Sequence, residues 1–126
     1  MHMRGLCVAC LLITGCGRTG PELAEVAGLV TLDGQPLPEA YVEFIPVEGG
    51  RASGGVTDDA GRYELVYSVR ETGALVGKSR VLITTGDPAN PRKRPEKVPP
   101  RYNQQTTLMA TVESGSNQHD FKLTSK

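Results

Sequence analysis

The chain has no tryptophan, two phenylalanines and four tyrosines in 126 residues. Few planes are therefore available for stacking a base or a sugar. Formal charge is zero, with 14 Lys and Arg against 14 Asp and Glu, so nucleic-acid binding has no bulk electrostatic support. His2 and His119 are the only histidines. No apolar run approaches the roughly 20 residues that span a bilayer. No segment holds a sustained helical period. The three cysteines, Cys7, Cys10 and Cys16, all lie near the amino end.

What is present is ordered. Met1-His2-Met3-Arg4 gives a basic start, Leu6 to Ile13 an apolar stretch, and Thr14-Gly15-Cys16 a small-residue cut. This is the layout of a secretory signal. A cysteine at the cut resembles the bacterial lipobox, whose thiol is acylated before cleavage. The expectation is a signal peptide over 1–15, a lipidated Cys16 with a Gly- and Pro-containing tether over 16–24, and one folded domain over 25–126. Cleavage would remove Cys7, Cys10 and His2 and leave neither free thiol nor disulfide. About a hundred residues suffice for one domain burying about two thirds of its unfolded surface. Gly17 follows the cysteine where an aspartate would favour inner-membrane retention. The implied location is the bacterial cell envelope, with the outer membrane favoured over the inner.

Past the tether, apolar and polar residues alternate in short runs punctuated by Gly, Pro and Asp. Val26, Gly28, Val30 and Leu32 share one face of a first strand, and Asp33-Gly34 signals a turn. Pro36-Leu37-Pro38 should end pairing there. Ala40, Val42 and Phe44 face inward on a second strand stopped by Pro46. Ser53 to Thr57 reads as a third strand and Asp58-Asp59-Ala60-Gly61 as a turn. Tyr63, Leu65 and Tyr67 share a face of a fourth strand. Gly73 to Gly77 reads as a connection. Val81 and Ile83 lie in a strand ended by Gly86. Asp87 to Asn103, with five prolines, is too long for a simple connection and is either functional or disordered. Leu108, Ala110 and Val112 alternate inward, and Phe121 and Leu123 close the last strand. Such spacing predicts an all-β sandwich.

The run Gly28-x-Val30-Thr31-x-Asp33-Gly34-x-Pro36-Leu37-Pro38-x-Ala40-x-Val42 resembles the opening of carboxypeptidase regulatory-like domains. Thr57-Asp58-Asp59-Ala60-Gly61-Arg62-Tyr63 resembles their second turn, and Gly73-x-x-x-Gly77-Lys78-x-x-Val81 their third block. Ser79 stands where that family carries an aromatic. Val98-Pro99-Pro100-Arg101-Tyr102-Asn103 resembles a segment in small bacterial lipoproteins with this domain. The resemblance implies a transthyretin-like or prealbumin-like antiparallel sandwich of about seven strands. It does not fix a function.

The chemistry-bearing residues are sparse. His119 and Asp120 are adjacent on a strand and point to opposite faces, so they do not form a dyad. The chain also lacks the Tyr-Arg-Gly-Ser ending of transthyretin-like hydroxyisourate hydrolases. An enzyme is not expected, and no cofactor or metal is implied. Asp58 and Asp59 fall short of the six to eight oxygens that calcium takes, and suit turn amides instead. Tyr41, outward on the second strand, and Tyr102 are the aromatic candidates for sugar contact. Arg92, Lys93, Arg94, Lys97 and Arg101 outnumber Asp87 and Glu96 in the long segment. They are candidates for contact with anionic lipid head groups or acidic wall polymers. The expected role is a non-catalytic, membrane-anchored envelope lipoprotein with a structural or adhesive sandwich. The alternative is a carbohydrate- or peptide-binding module. The expected partners are the membrane, through the lipid, and anionic envelope polymers, glycans or envelope proteins.

Overall fold

A computed structural model describes residues 21–87, 89–90 and 92–126. The expected signal peptide, Cys16 and the expected tether as far as residue 20 lie outside the described residues. Among the described residues ten strands, rather than about seven, form two sheets packed face to face, the all-β sandwich that the alternation predicts. The two-residue strands Gln35–Pro36 and Ala74–Leu75 are among the additional ones.

The first sheet is built on one long strand, β1 (Leu23–Leu32). Along one edge it pairs antiparallel with β6 (Ala74–Leu75), β5 (Arg62–Glu64) and β2 (Gln35–Pro36). Along the other it pairs with β9 (Ser116–Gln118) and β10 (Phe121–Leu123). The second sheet runs in the order β4 (Ser53–Val56), β3 (Tyr41–Pro46), β7 (Gly77–Thr84), β8 (Met109–Val112), all antiparallel. The one departure from an antiparallel sandwich is that β9 and β10 run parallel to β1.

Period-two alternation decides what faces inward. Ala24, Val26 and Val30 of β1 are buried, as are Val42 and Phe44 of β3 and Val81 and Ile83 of β7. Tyr63, Leu65, Ala110, Val112 and Leu123 complete the layer between the sheets. Each large side chain in it contributes about 1.5–3 kcal/mol by leaving water. Phe44 meets the edge of Phe121 at 6.2 Å between ring centres, joining the two sheets.

Three local expectations are corrected. The sandwich begins at Leu23 rather than at residue 25, because Ala24 is buried and pairs with Ala74. Residues 73–77 are not a plain connection, since Ala74 and Leu75 form β6 against that same stretch of β1. Pro36 does not end pairing. Asp33 and Gly34 adopt positive φ in a tight hairpin, and Pro36 lies opposite Thr31, at the edge where its missing N–H is harmless.

The long segment is folded against the body. A 3-10 turn, Pro100–Tyr102, interrupts it. Val98 is buried, and Asn103 donates from Nδ2 to the Ile83 carbonyl at 3.1 Å. Among the described residues no helix is long and apolar enough to cross a membrane.

The sandwich has two distinct ends. Leu23 lies with the β3–β4 turn and with Gly115, whose carbonyl accepts the Glu25 amide. β1 then runs ten residues, about 30 Å at 3.3 Å each. At the far end sit the Asp33–Gly34 turn, the Asp58–Gly61 turn and the segment that follows Thr84.

Candidate functional site

The outward side chains of the second sheet collect several of the candidate residues. Tyr41 lies opposite Thr84 on β7 and Val56 on β4. It is 41% exposed. Its ring lies over Gly54, where any Cβ would collide with it, so the glycine is what lets the tyrosine lie flat across β4. Partial burial, with Glu43 nearby, raises the Tyr41 phenol above its ordinary value.

Next to Tyr41, Thr84 and Leu82 form one wall of a cleft of about 370 Å³, closed by Arg94, Asp87, Glu96 and Gln104. Thus Tyr41 and Arg94, separate in sequence, are brought to one face of one sheet. Lys93 and Lys97 line a smaller hollow around Thr85 and Glu39, to which Arg94 also contributes. Arg92, Lys93, Arg94 and Lys97 are all exposed.

Glu96 organises this region, a role that its place in the sequence does not announce. Its Oε2 accepts the Thr85 amide at 2.8 Å and the Val98 amide at 3.2 Å. Its Oε1 accepts the Thr84 hydroxyl and, at 3.3 Å, the Gly86 amide. The Lys97 amide donates to Thr85 Oγ1 at 2.7 Å. Burial pushes the Glu96 carboxyl up, but these hydrogen bonds outweigh it and hold the group below its usual range. One acid inside a basic run was the available signal.

Tyr102 and Arg101 are engaged elsewhere. Arg101 Nη2 donates to Thr124 O at 2.6 Å and to the Lys126 main-chain oxygen at 2.8 Å. Its guanidinium lies 4.8 Å from the centre of the Tyr102 ring. The Tyr102 hydroxyl accepts the Thr124 amide at 3.1 Å. The Thr124 hydroxyl and amide, followed by Arg101, lower the Tyr102 phenol below its ordinary value. This pair fastens the long segment to the residues after β10, and one ring face is covered. Tyr41 and Tyr102 do not form a common platform.

His119 is half-buried, its ring 5.9 Å from that of Phe44, with Nε2 donating to Thr111 O at 3.1 Å. Asp120 Oδ1 accepts the Leu29 amide. The two side chains diverge, as alternation predicts. Asp58 Oδ1 accepts the Ala60 and Arg62 amides at 2.9 Å, the role expected of a turn aspartate, and Asp59 is exposed. Among the described residues no three His, Cys, Asp or Glu side chains converge as a metal site.

The other sheet carries a hollow of about 700 Å³ on its outer face. It lies along β1 over Ala27 and Leu29, between Arg62 and Asp120.

No family model matches the chain, and no curated protein matches it. Two solved structures resemble it. A DUF3823 family protein from Parabacteroides merdae ATCC 43184 superposes with a TM-score of 0.47 at 15% identity, over 82% of this chain and 46% of that one. A 9R-lipoxygenase from Cyanothece PCC8801 superposes with a TM-score of 0.39 at 19% identity, over 85% of this chain and 17% of that one. The chain thus spans less than half the length of either.

Proposed function

We propose that the protein is a non-catalytic lipoprotein of the bacterial cell envelope, a carboxypeptidase regulatory-like sandwich held to a membrane by an acylated Cys16. The observation that carries this reading is the order basic start, apolar Leu6–Ile13, small residues, cysteine. Two or three acyl chains, at about 0.8 kcal/mol per buried CH₂, anchor a protein stably. The two-ended sandwich supports it. The chain enters at the Leu23 end, and the basic segment lies about 30 Å away at the other. Arg92, Lys93, Arg94 and Lys97 then face away from the anchoring membrane, which favours an acidic envelope polymer over the lipid head groups of that membrane as their partner. The role is structural or adhesive, and the outer membrane is the favoured location.

Replacing Cys16 by Ser tests the anchor. The expected result is loss of the protein from the membrane fraction and loss of the acyl mass from its amino end. Unchanged membrane retention, or a natural protein carrying an unmodified Met1, would overturn the reading.

A second reading is a ligand-binding module at the outer face of the four-stranded sheet. Tyr41, exposed beside the Thr84 and Arg94 cleft, favours it. A glycan array compared with a Tyr41→Ala variant decides between the two.

A further inference from the structure

The hollow on the six-stranded sheet arises from a break in the β1–β9–β10 ladder. A regular parallel ladder would give the His119 carbonyl to the Leu29 amide. Instead the Asp120 carboxylate takes that amide at 2.9 Å. Gln118 Nε2 donates to the same carboxylate at 3.3 and 3.4 Å, so the group is held in place over the outer face. Arg62 occupies the matching position on the other side of β1, because Leu29 pairs with Arg62. Arg62, Leu29 and Asp120 therefore form one row across three strands, and Glu64, Ala27 and Gln118 form the next.

Two strand spacings separate the Arg62 and Asp120 backbones, about 10 Å, and the Asp120 carboxylate reaches back towards β1. Ala27 in the next row is short, so the sheet surface dips there. One wall carries a guanidinium donor and the other a carboxylate and an amide, with the methyl of Ala27 and the side chain of Leu29 as floor. The hollow, about 700 Å³, has room for a single sugar ring. An apolar floor with donors and acceptors on opposed walls suits the C–H face and equatorial hydroxyls of a sugar. Arg62 and Asp120 balance each other. Glu25 and Glu64, outward on the same face, outnumber Lys122 there, which disfavours an anion.

We propose that this hollow, lined by Arg62, Gln118 and Asp120 over Ala27 and Leu29, binds one unit of a neutral saccharide. The site is separate from Tyr41 and does not depend on how the protein is anchored.

The test uses isotope-labelled full-length chain, titrated with neutral trimers of glucose, mannose and N-acetylglucosamine and with a galacturonate trimer as acidic comparator. Amide shifts report binding. The expected result is saturable shifts at Leu29, Arg62 and Gln118 with at least one neutral trimer. Ala27→Leu, which fills the floor from the solvent side, should weaken binding about tenfold, and Arg62→Ala similarly, each removing about one interaction's worth of affinity. Both should leave the rest of the amide spectrum in place, and Tyr41→Ala should bind as the parent does. The inference is overturned by any of three results: no neutral trimer shifts these amides, Ala27→Leu and Arg62→Ala both bind undiminished, or the galacturonate trimer binds better than every neutral one.

Discussion

The Tyr63 hydroxyl donates a 2.6 Å hydrogen bond to the His119 main-chain oxygen, passing over Gly28 to reach it. Tyr63 sits on β5, on one side of β1, and His119 on the other. The bond therefore spans three strands and closes the first sheet where its own ladder is interrupted. It is possible because Gly28 has no side chain, since a Cβ there would collide with the His119 carbonyl.

Gly28→Ala is accordingly expected to destabilise the fold by about 1–3 kcal/mol, the range for overpacking a tight site. Urea denaturation of the variant checks this. A shift of the midpoint by less than the scatter of a surface control, such as Glu64→Gln, contradicts the close approach of β5 and β9–β10 over this glycine.

Tyr63→Phe should cost about 1–2 kcal/mol, because it leaves a half-buried carbonyl without its donor. The same phenol gives a pH signature. Burial, with Asp120 as a smaller contributor, raises its pKa well beyond the ordinary value of a tyrosine. The neutral form is thus favoured in the folded state. The stability it contributes is present in full below the unfolded value near 10 and declines as pH rises above it. Absorbance titration near 295 nm should show this tyrosine ionising last, and only as the fold is lost. Ionisation near pH 10 with the fold intact would be inconsistent with the buried bond.

Glu96 should make the long segment acid-sensitive. Its folded pKa is lowered by the Thr84 hydroxyl and the Thr85, Val98 and Gly86 amides, against burial. Its contribution is therefore present above the unfolded value, near 4.3, and lost as pH falls through the lower folded value. Because the group is largely exposed, Glu96→Gln is expected to cost only about 1 kcal/mol globally. The larger effect is local, as faster amide exchange at Thr85 and Val98. Equal protection of those amides in the variant and the parent would remove Glu96 as the clasp of the segment.

Ser79→Ala should stabilise the protein by about 1 kcal/mol. The Ser79 Oγ is buried without a hydrogen-bond partner, as is that of Ser53, and removing an unpaired hydroxyl relieves its desolvation cost. Thermal unfolding of the variant measures it. A lower midpoint than the parent would mean that the hydroxyl has a partner after all.

Arg101→Ala should free the residues after β10, because one guanidinium holds both Thr124 O and Lys126 O. Proteolysis of the carboxyl end is the sensitive measurement. Cleavage after Leu123 should accelerate, while Arg101→Lys should rescue it only in part, since an ammonium lacks the planar fork. Unchanged cleavage would show that the end is held by other means.

Much of the fold was legible in the residue order because it depends on local alternation. Val26 and Val30 lie four apart and Val42 and Phe44 two apart, so each pair must share a face once extended, and Asp33-Gly34 is chemically suited to positive φ. The resemblance to carboxypeptidase regulatory-like domains drew on these same turns. What was not legible depends on residues far apart. Nothing local shows that Ala74 pairs with Ala24, that β9 and β10 run parallel to β1, or that an aspartate would replace a ladder carbonyl.

The sequence by itself determined a strand-rich body, its inward faces, its turns, and an amino-terminal pattern that points to export and acylation. These follow from period-two geometry, turn chemistry and the apolarity of a short run. Only the tertiary structure decided which candidate residues meet. It laid Tyr41 beside the Arg94 cleft, tied Arg101 and Tyr102 to Thr124, and set Arg62 opposite Asp120 across β1. Strand pairing between distant segments fixes those neighbours, and its register is a property of the whole sandwich rather than of any one strand.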